Sequence, residues 1–397
     1  MTDILIRNIH PMGGDLSDIR IRAGLITEIG PDLPDEGMTV EDGKGQIAIP
    51  GLVEGHTHLD KTLMGHGWYV NAVGSDLRAM IDNERALRAD PAIDPHVQSM
   101  RHALALIGYG VTHIRSHVDI DTDAGLRMME GVMATSDALA GEVTIQIVAF
   151  PQSGLLVRSG TVELMDAALA MGADVVGGLD PCGIDRDPKG HLDAIFALAE
   201  KHGKPVDIHL HEGGELGAFS TDLILERTRA LGMQGQVAIS HAFCLGMNDH
   251  LRVGRLLEQI AELGIGIPTT GAPAREVPQL KRVRAAGVRM AAGCDGVGDS
   301  WSPHQRPDML DRARIIAMRN NLRADAELCE VLEVCTTEGA QVMGLDNHRL
   351  RVGAEANLAL VPAETLAAVT MHAGPVGLTL HEGRITGRDG RALRAAP

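Results

Sequence analysis

Apolar and polar positions along the chain follow two rhythms. In the first 50 residues, short alternating runs at 4–7, 18–22, 25–28 and 38–41 are separated by Gly13-Gly14, Gly24, Pro31 and Pro34. A period of two, punctuated by Gly and Pro, predicts short strands joined by tight turns. The style returns at 357–361, 375–380 and 384–386, with Gly353 and His381-Glu382-Gly383 as turn residues. Residues 1–50 and 346–397 are therefore expected to pair into one small β-rich domain, a β-sandwich.

The middle of the chain, 51–345, reads differently. Apolar segments at 49–53, 111–115, 143–149, 175–179, 206–208, 236–239, 264–267 and 288–292 each run into a polar cluster. Amphipathic stretches such as 77–88, 94–106, 162–170 and 191–202 lie between them. This alternation predicts an α/β architecture, a (β/α)8 TIM-like barrel over 51–345. Such barrels carry their chemistry at the C-terminal ends of the strands, so the polar clusters there are the candidates.

Four of these strand ends hold ligand-type side chains. His56-Thr57-His58 closes the first. Residues i and i+2 of a strand project to one side, so two imidazoles can converge on one ion. His209 closes the fifth, followed by Leu210, His211 and Glu212. His209 is the candidate third imidazole, His211 reads as a polar loop residue, and Glu212 is placed to carry a proton. His241 ends the sixth strand and Asp295 the eighth, where a carboxylate near a metal can both hold the ion and accept the water proton. Either alone reads as an ordinary loop histidine or a helix cap; together the four ends point to a metal-dependent hydrolytic site.

Composition narrows the class. Hydrophobic residues make up 44% of the 397, enough for a large core. Lys and Arg total 36 against 53 Asp and Glu, a formal charge of −17, which argues against nucleic acid as a partner. The five cysteines form no CxxC, as expected of reduced thiols in a cytoplasmic protein. The opening MTDILIRNIH lacks the charged and apolar regions of a signal peptide, and no apolar run is long enough for a membrane span. An acidic barrel of this kind is compatible with a homo-oligomer. Trp68, Tyr69, Phe150, Phe219, Phe243 and Trp301 lie near the candidate motifs, whereas Tyr109 and Phe196 do not. Such clustering suits a pocket for a flat heterocycle, or plain packing at strand ends.

The ordered set His56-x-His58, His209, His241 and Asp295 resembles the amidohydrolase superfamily. The segments PGLVEGHTHLDKT, GVTHIRSHVD, FPQSGLL, SHAF and GCDGVGDSW, with the His209–Glu212 spacing, are similar to its cytosine deaminase-like branch. That branch includes cytosine, isocytosine and methylcytosine deaminases and N-isopropylammelide amidohydrolase, and the resemblance spans nearly the whole chain. It implies that His56, His58, His209 and Asp295 hold one divalent metal ion, zinc or iron. It further implies Glu212 as proton shuttle, His241 as the group that holds the attacking hydroxide, Gln152 as reader of a substrate carbonyl and ring nitrogen, and Trp301 beside the ring. The stretch DVVGGLDPCG has no lysine to bridge a second metal, so the resemblance favours a mononuclear site.

The sequence departs from the branch at three positions. Gly296 stands where cytosine deaminases carry a second Asp that helps hold the substrate, so cytosine itself is not the expected substrate. His211 stands where they have Asp. Lys61 follows the HxH motif and is either a cation for a carbonyl-rich ring or half of a salt bridge, to Asp60 or Glu54. The expected reaction is hydrolytic deamination of a small amino-substituted pyrimidine- or triazine-like heterocycle. The alternative on the same site is ring opening of a cyclic amide, or removal of an alkylamine from a triazine.

Overall fold

The structure, a computed structural model, describes residues 3–74, 76–372 and 374–397. Strands β1 (Ile4–Pro11), β2 (Ser17–Arg22), β3 (Leu25–Gly30) and β4 (Thr39–Pro50) open the chain. The middle supplies β5 (Leu52–Thr57), β6 (Val111–Asp119), β7 (Thr144–Phe150), β8 (Val175–Leu179), β9 (Val206–His209), β10 (Val237–Ser240), β11 (Ile267–Thr269) and β12 (Met290–Ala292). β13 (Leu358–Val361), β14 (Leu378–His381), β15 (Arg384–Arg388) and β16 (Arg391–Ala392) close it.

The two ends of the chain form one eight-stranded sheet, in the order β16-β15-β14-β13-β4-β1-β2-β3. β13 joins them by pairing antiparallel with β4, Leu358 opposite Pro50 and Val361 opposite Ile47. Alternate residues of these strands, among them Ile4, Ile6, Ile19, Ile21, Leu358 and Leu360, bury a common apolar face. That is what a period of two produces when one face of a sheet is covered.

The central strands are parallel. β5 to β10 form a six-stranded sheet in chain order, and β11 and β12 pair separately. Single parallel bridges link Ala238 to Gly266, just before β11, and Thr57 to Asp295, just after β12. Helices intervene, among them Leu77–Arg88, Pro95–Gly108, Thr161–Met171 and Pro188–His202. Asp76, Asp94 and Asp187 cap three of them, each side chain accepting from a backbone N–H of the first turn. β5 to β9 are buried almost throughout, as expected for strands covered on both faces.

One expectation of the sequence is corrected at 49–53. The run is not one strand: β4 ends at Pro50 and β5 begins at Leu52. At Gly51 the chain leaves the terminal sheet, donating to the Asn357 carbonyl, while Leu52 donates to Gly110. A Cβ at Gly51 would meet Thr112 Oγ1 at 2.3 Å, so only glycine fits this crossing.

Candidate functional site

The C-terminal ends of β5, β9 and β10, with the turn after β12, converge on one cluster. His56 and His58 come from β5 and its following residue, His209 from the last position of β9, and His241 follows β10. Ring centroids lie 4.6 Å apart for His56–His209, 4.6 Å for His56–His241 and 5.1 Å for His209–His241. Asp295 Oδ1 lies 3.3 Å from His58 Nε2 and 3.9 Å from His56 Nε2. Ligand atoms of His56, His58 and His209, and of His56, His241 and Asp295, gather closely enough to hold a metal ion. Two atoms bound to one ion at tetrahedral angles sit roughly 3.3 Å apart, which matches the His58–Asp295 spacing.

The protonation of the cluster suits a cation. Burial, helped by the neighbouring imidazoles, holds His56 and His209 well below the usual histidine range, and His241 at about 3. All three are therefore neutral, the form that binds metal. Burial opposes the charge of Asp295, but the close approach of His58 and the other imidazoles outweighs it and keeps the carboxyl well below its ordinary value. His56 Nε2 and both nitrogens of His209 and His241 are buried without a hydrogen-bond partner. Buried polar atoms left unpaired are costly, and a bound ion would satisfy one nitrogen on each ring that holds it.

Partners behind the ring atoms aim the imidazoles. Asp207 is paired with Arg115 at 2.9 Å and accepts from Ser240 Oγ at 2.6 Å. Ser240 Oγ lies 3.0 Å from His56 Nδ1, and with its own hydrogen given to Asp207 it accepts from that nitrogen. His58 Nδ1 donates to the His117 carbonyl at 3.0 Å. In both rings Nε2 is thereby left as the free lone pair facing the cluster. The backbone is strained at the same place: Asp180, His241, Ala242 and Asp295 all take positive φ, at 34°, 68°, 45° and 64°. Non-glycine residues rarely adopt this region, and such strain gathers at functional sites.

Glu212 lies beside the cluster. Its Oε1 accepts from the backbone N–H of Cys182 at 2.8 Å and of Gly183 at 2.7 Å, and Oε2 accepts from Ser220. Burial raises its pKa above the ordinary carboxyl value, against the pull of these donors, as suits a group that gains and loses a proton. His211 is more than a loop residue. Its Nδ1 donates to Asp180 at 2.8 Å, and its ring lies 4.4 Å from that of His241. Burial works against its proton, but Asp180 prevails and raises its pKa.

These groups open onto a cavity of about 450 Å³ lined by His58, Gln152, Glu212, Phe243, Asp299 and Trp301, among others. A larger cavity of about 540 Å³, lined by Arg284, Cys329 and Leu350, contains none of the candidate residues. Lys61 also lines the first cavity but is buried, donating to Gln152 Oε1 at 2.6 Å and pairing with Asp119 at 3.1 Å and Glu84 at 3.2 Å. Burial opposes its charge, yet these carboxylates raise its pKa. Of the two expected partners, neither Asp60 nor Glu54 makes the salt bridge; Glu84 and Asp119 do. Glu84 also accepts from Trp301 Nε1 at 2.8 Å, tying the indole to the same network. The aromatic clustering holds only in part. Phe243 and Trp301 line the cavity and Phe150 stacks on His209 at 4.0 Å, but Trp68 is 82% and Phe219 49% exposed.

The sequence reading passed over Asp180, Asp207, Glu84, Asp299 and Ser240 as functional residues. Asp180 and Ser240 do lie at strand ends, the one signal that marked them; the others are recognisable only by their partners.

The sequence pattern of the amidohydrolase family (Amidohydro_3) matches residues 39–386. The chain belongs to this family. As an amidohydrolase it is an enzyme of carbon–nitrogen bond hydrolysis, like the relatives that follow. The crystal structure of N-isopropylammelide isopropylaminohydrolase from Burkholderia multivorans is 48% identical, covers 99% of this chain and 100% of its own, and superposes with a TM-score of 0.96. N-isopropylammelide isopropyl amidohydrolase of Pseudomonas sp. (strain ADP) is 28% identical over 374 residues, 90% of this chain and 91% of that protein. The 5-methylcytosine deaminase of Klebsiella pneumoniae, in complex with 5-fluorocytosine, is 26% identical, covers 98% and 99% of the two chains, and has a TM-score of 0.85. No helix among the described residues is long and apolar enough to cross a membrane.

Proposed function

We propose that this amidohydrolase hydrolytically displaces an exocyclic amine from a small nitrogen heterocycle of the pyrimidine or triazine type. The observation that carries this reading is the unpaired, neutral imidazole nitrogens of His56 and His209, with His209, Asp295 and Glu212 lining one cavity together with Lys61 and Gln152. We read the parallel strands as a (β/α)8 barrel over 51–345, with residues 1–50 and 346–397 as the accompanying sandwich.

His56, His58, His209 and Asp295 would hold one divalent ion, zinc or iron, since three imidazoles and a carboxylate suit both. Such an ion supplies Lewis acidity and a water acidic enough to react near neutral pH. His241, neutral and unpaired, orients the attacking water. Glu212 gives a proton to a ring nitrogen, which makes the adjacent ring carbon electrophilic. Asp295 takes one proton of the attacking water and Glu212 the other, which it passes to the departing amine. Gln152, held by Lys61 through its Oε1, binds a ring carbonyl with its amide N–H, and Trp301 covers the ring face. The rigid strand ends keep these groups in register.

Release of ammonia is the principal reading. Release of an alkylamine from a triazine is favoured by the 48% identity to an isopropylaminohydrolase and by Leu77, Met80 and Phe243 in the cavity wall. The test is incubation of metal-loaded enzyme with amino- and alkylamino-pyrimidines and -triazines, following ammonia and amine by assay and the ring by mass spectrometry. Free ammonia or alkylamine with an oxo ring is expected. A product heavier by one water and no amine release would mean ring opening, and no reaction across the panel would end the proposal.

A further inference from the structure

Gly296 follows Asp295 directly, and its backbone is not left-handed, so conformation alone does not demand glycine there. Space does. A Cβ at 296 would lie 1.8 Å from Asp299 Oδ2 and 2.8 Å from its carboxyl carbon. Asp299 fills the volume that a side chain at 296 would take. It is 4% exposed and lines the same cavity as Glu212, Gln152 and Trp301. Its Oδ1 accepts from the backbone N–H of Trp301 at 2.8 Å and Ser302 at 2.7 Å, which fixes the carboxyl group. Its Oδ2 is buried with no donor. A buried carboxylate oxygen left unpaired costs free energy that a donor on a ligand would recover.

We propose that Asp299 reads the substrate, its Oδ2 accepting a ring N–H from the face that a side chain at 296 would otherwise occupy. The inference rests on the proposed function and narrows its substrate. Gln152 Oε1 is taken by Lys61, so the Gln152 amide N–H group is left to donate to a ring carbonyl. A donor at Gln152 and an acceptor at Asp299 match a ring that presents C=O and N–H together, the lactam or imide form of an oxo-heterocycle. A fully aromatic ring with only lone-pair nitrogens would leave Asp299 unpaired.

The test uses metal-loaded enzyme and two rings of alternating carbonyl and N–H groups, uracil and cyanuric acid, as probes, with binding measured by calorimetry. Asp299→Asn keeps the Oδ1 acceptor for Trp301 and Ser302 but turns Oδ2 into a donor. We expect it to weaken binding of at least one probe by about 10- to 100-fold, the range of a hydrogen bond to a charged group, and to raise KM with metal content unchanged. Gly296→Ala displaces the carboxylate from the other side and is expected to weaken binding in the same way. Added to Asp299→Asn, it should cost less than the product of the two effects, because both break one contact. Should Asp299→Asn fail to fold, Gly296→Ala decides alone. Wild-type affinity in both variants, with an active parent, overturns the assignment of Asp299 only. A parent that neither binds these rings nor acts on any amino-heterocycle overturns the proposed function and this inference with it.

Discussion

Ser240 Oγ lies 3.0 Å from His56 Nδ1 and 2.6 Å from Asp207 Oδ1, a buried relay that ends on Arg115. One hydroxyl thereby sets the tautomer of an imidazole in the middle of the cluster. Ser240→Ala removes the acceptor for Nδ1–H and frees the ring to rotate or change tautomer. Loss of such a partner typically costs about 10- to 100-fold in metal affinity. Competition of the loaded enzyme against a chelator should show that drop, and an unchanged affinity would remove the relay from the account of the site.

Glu212 is held by three donors at a raised pKa, so its carboxyl is positioned whether or not it is charged. Glu212→Gln is expected to keep the fold and the metal while turnover falls by about 10²-fold or more, the usual worth of a proton-transferring side chain. Full kcat in a variant with full metal content would sink the shuttle role.

Lys61 neutralises Glu84 and Asp119, whose side chains are 3% and 0% exposed. Lys61→Met strands both carboxylates, although Arg88 still pairs with Asp119 at 2.6 Å. Removing one partner of a buried ion pair costs on the order of 3 kcal/mol. The urea midpoint should fall accordingly. Turnover should also fall, because Gln152 and, through Glu84, Trp301 lose their anchor. A variant of unaltered stability would mean that the two carboxyls are protonated and need no cation.

A second histidine cluster joins the parallel strands to the terminal sheet. His113 packs edge-on to His348 at 4.8 Å and lies 5.6 Å from His381, whose Nε2 meets Thr144 Oγ1 at 3.0 Å. Burial lowers all three, His381 to about 4. The unfolded chain, titrating near 6.5, then binds more protons than the folded one between about pH 6.5 and 4. Stability should therefore be unaffected by this group above pH 6.5 and fall as the pH drops through that window. His381→Gln should flatten the fall; urea titrations at pH 7 and pH 5 that separate the variant and the parent equally would contradict it.

Much of the scaffold was legible because it is local. The helix expected at 77–88 runs from Leu77 to Arg88, and the strand at 175–179 from Val175 to Leu179. The apolar period alone carries that information. Boundaries slipped where a neighbour decided them. β4 runs on from Thr39 to Pro50 because β1 and β13 pair with it on either side; β12 keeps only Met290–Ala292 of the expected 288–292, and β11 lies at Ile267–Thr269, meeting the expected 264–267 only at Ile267.

The spacing of His56 and His58, and the polar residues at the strand ends, could be read from sequence because the chain's own geometry fixes them: two residues apart on a strand means one side. Partnership could not be read in that way. Lys61 meets Asp119 and Gln152 across 58 and 91 residues. Ser240 meets His56 across 184. Asp299 occupies the space of a missing side chain at 296 only because a turn folds back on itself. Periodicity is a property of neighbours along the chain, so the sequence by itself determined which segments are strands and which residues stand at their ends. The choice of partner for a buried charge or an imidazole depends on which strand ends pack together and how tightly, and only the tertiary structure decided that.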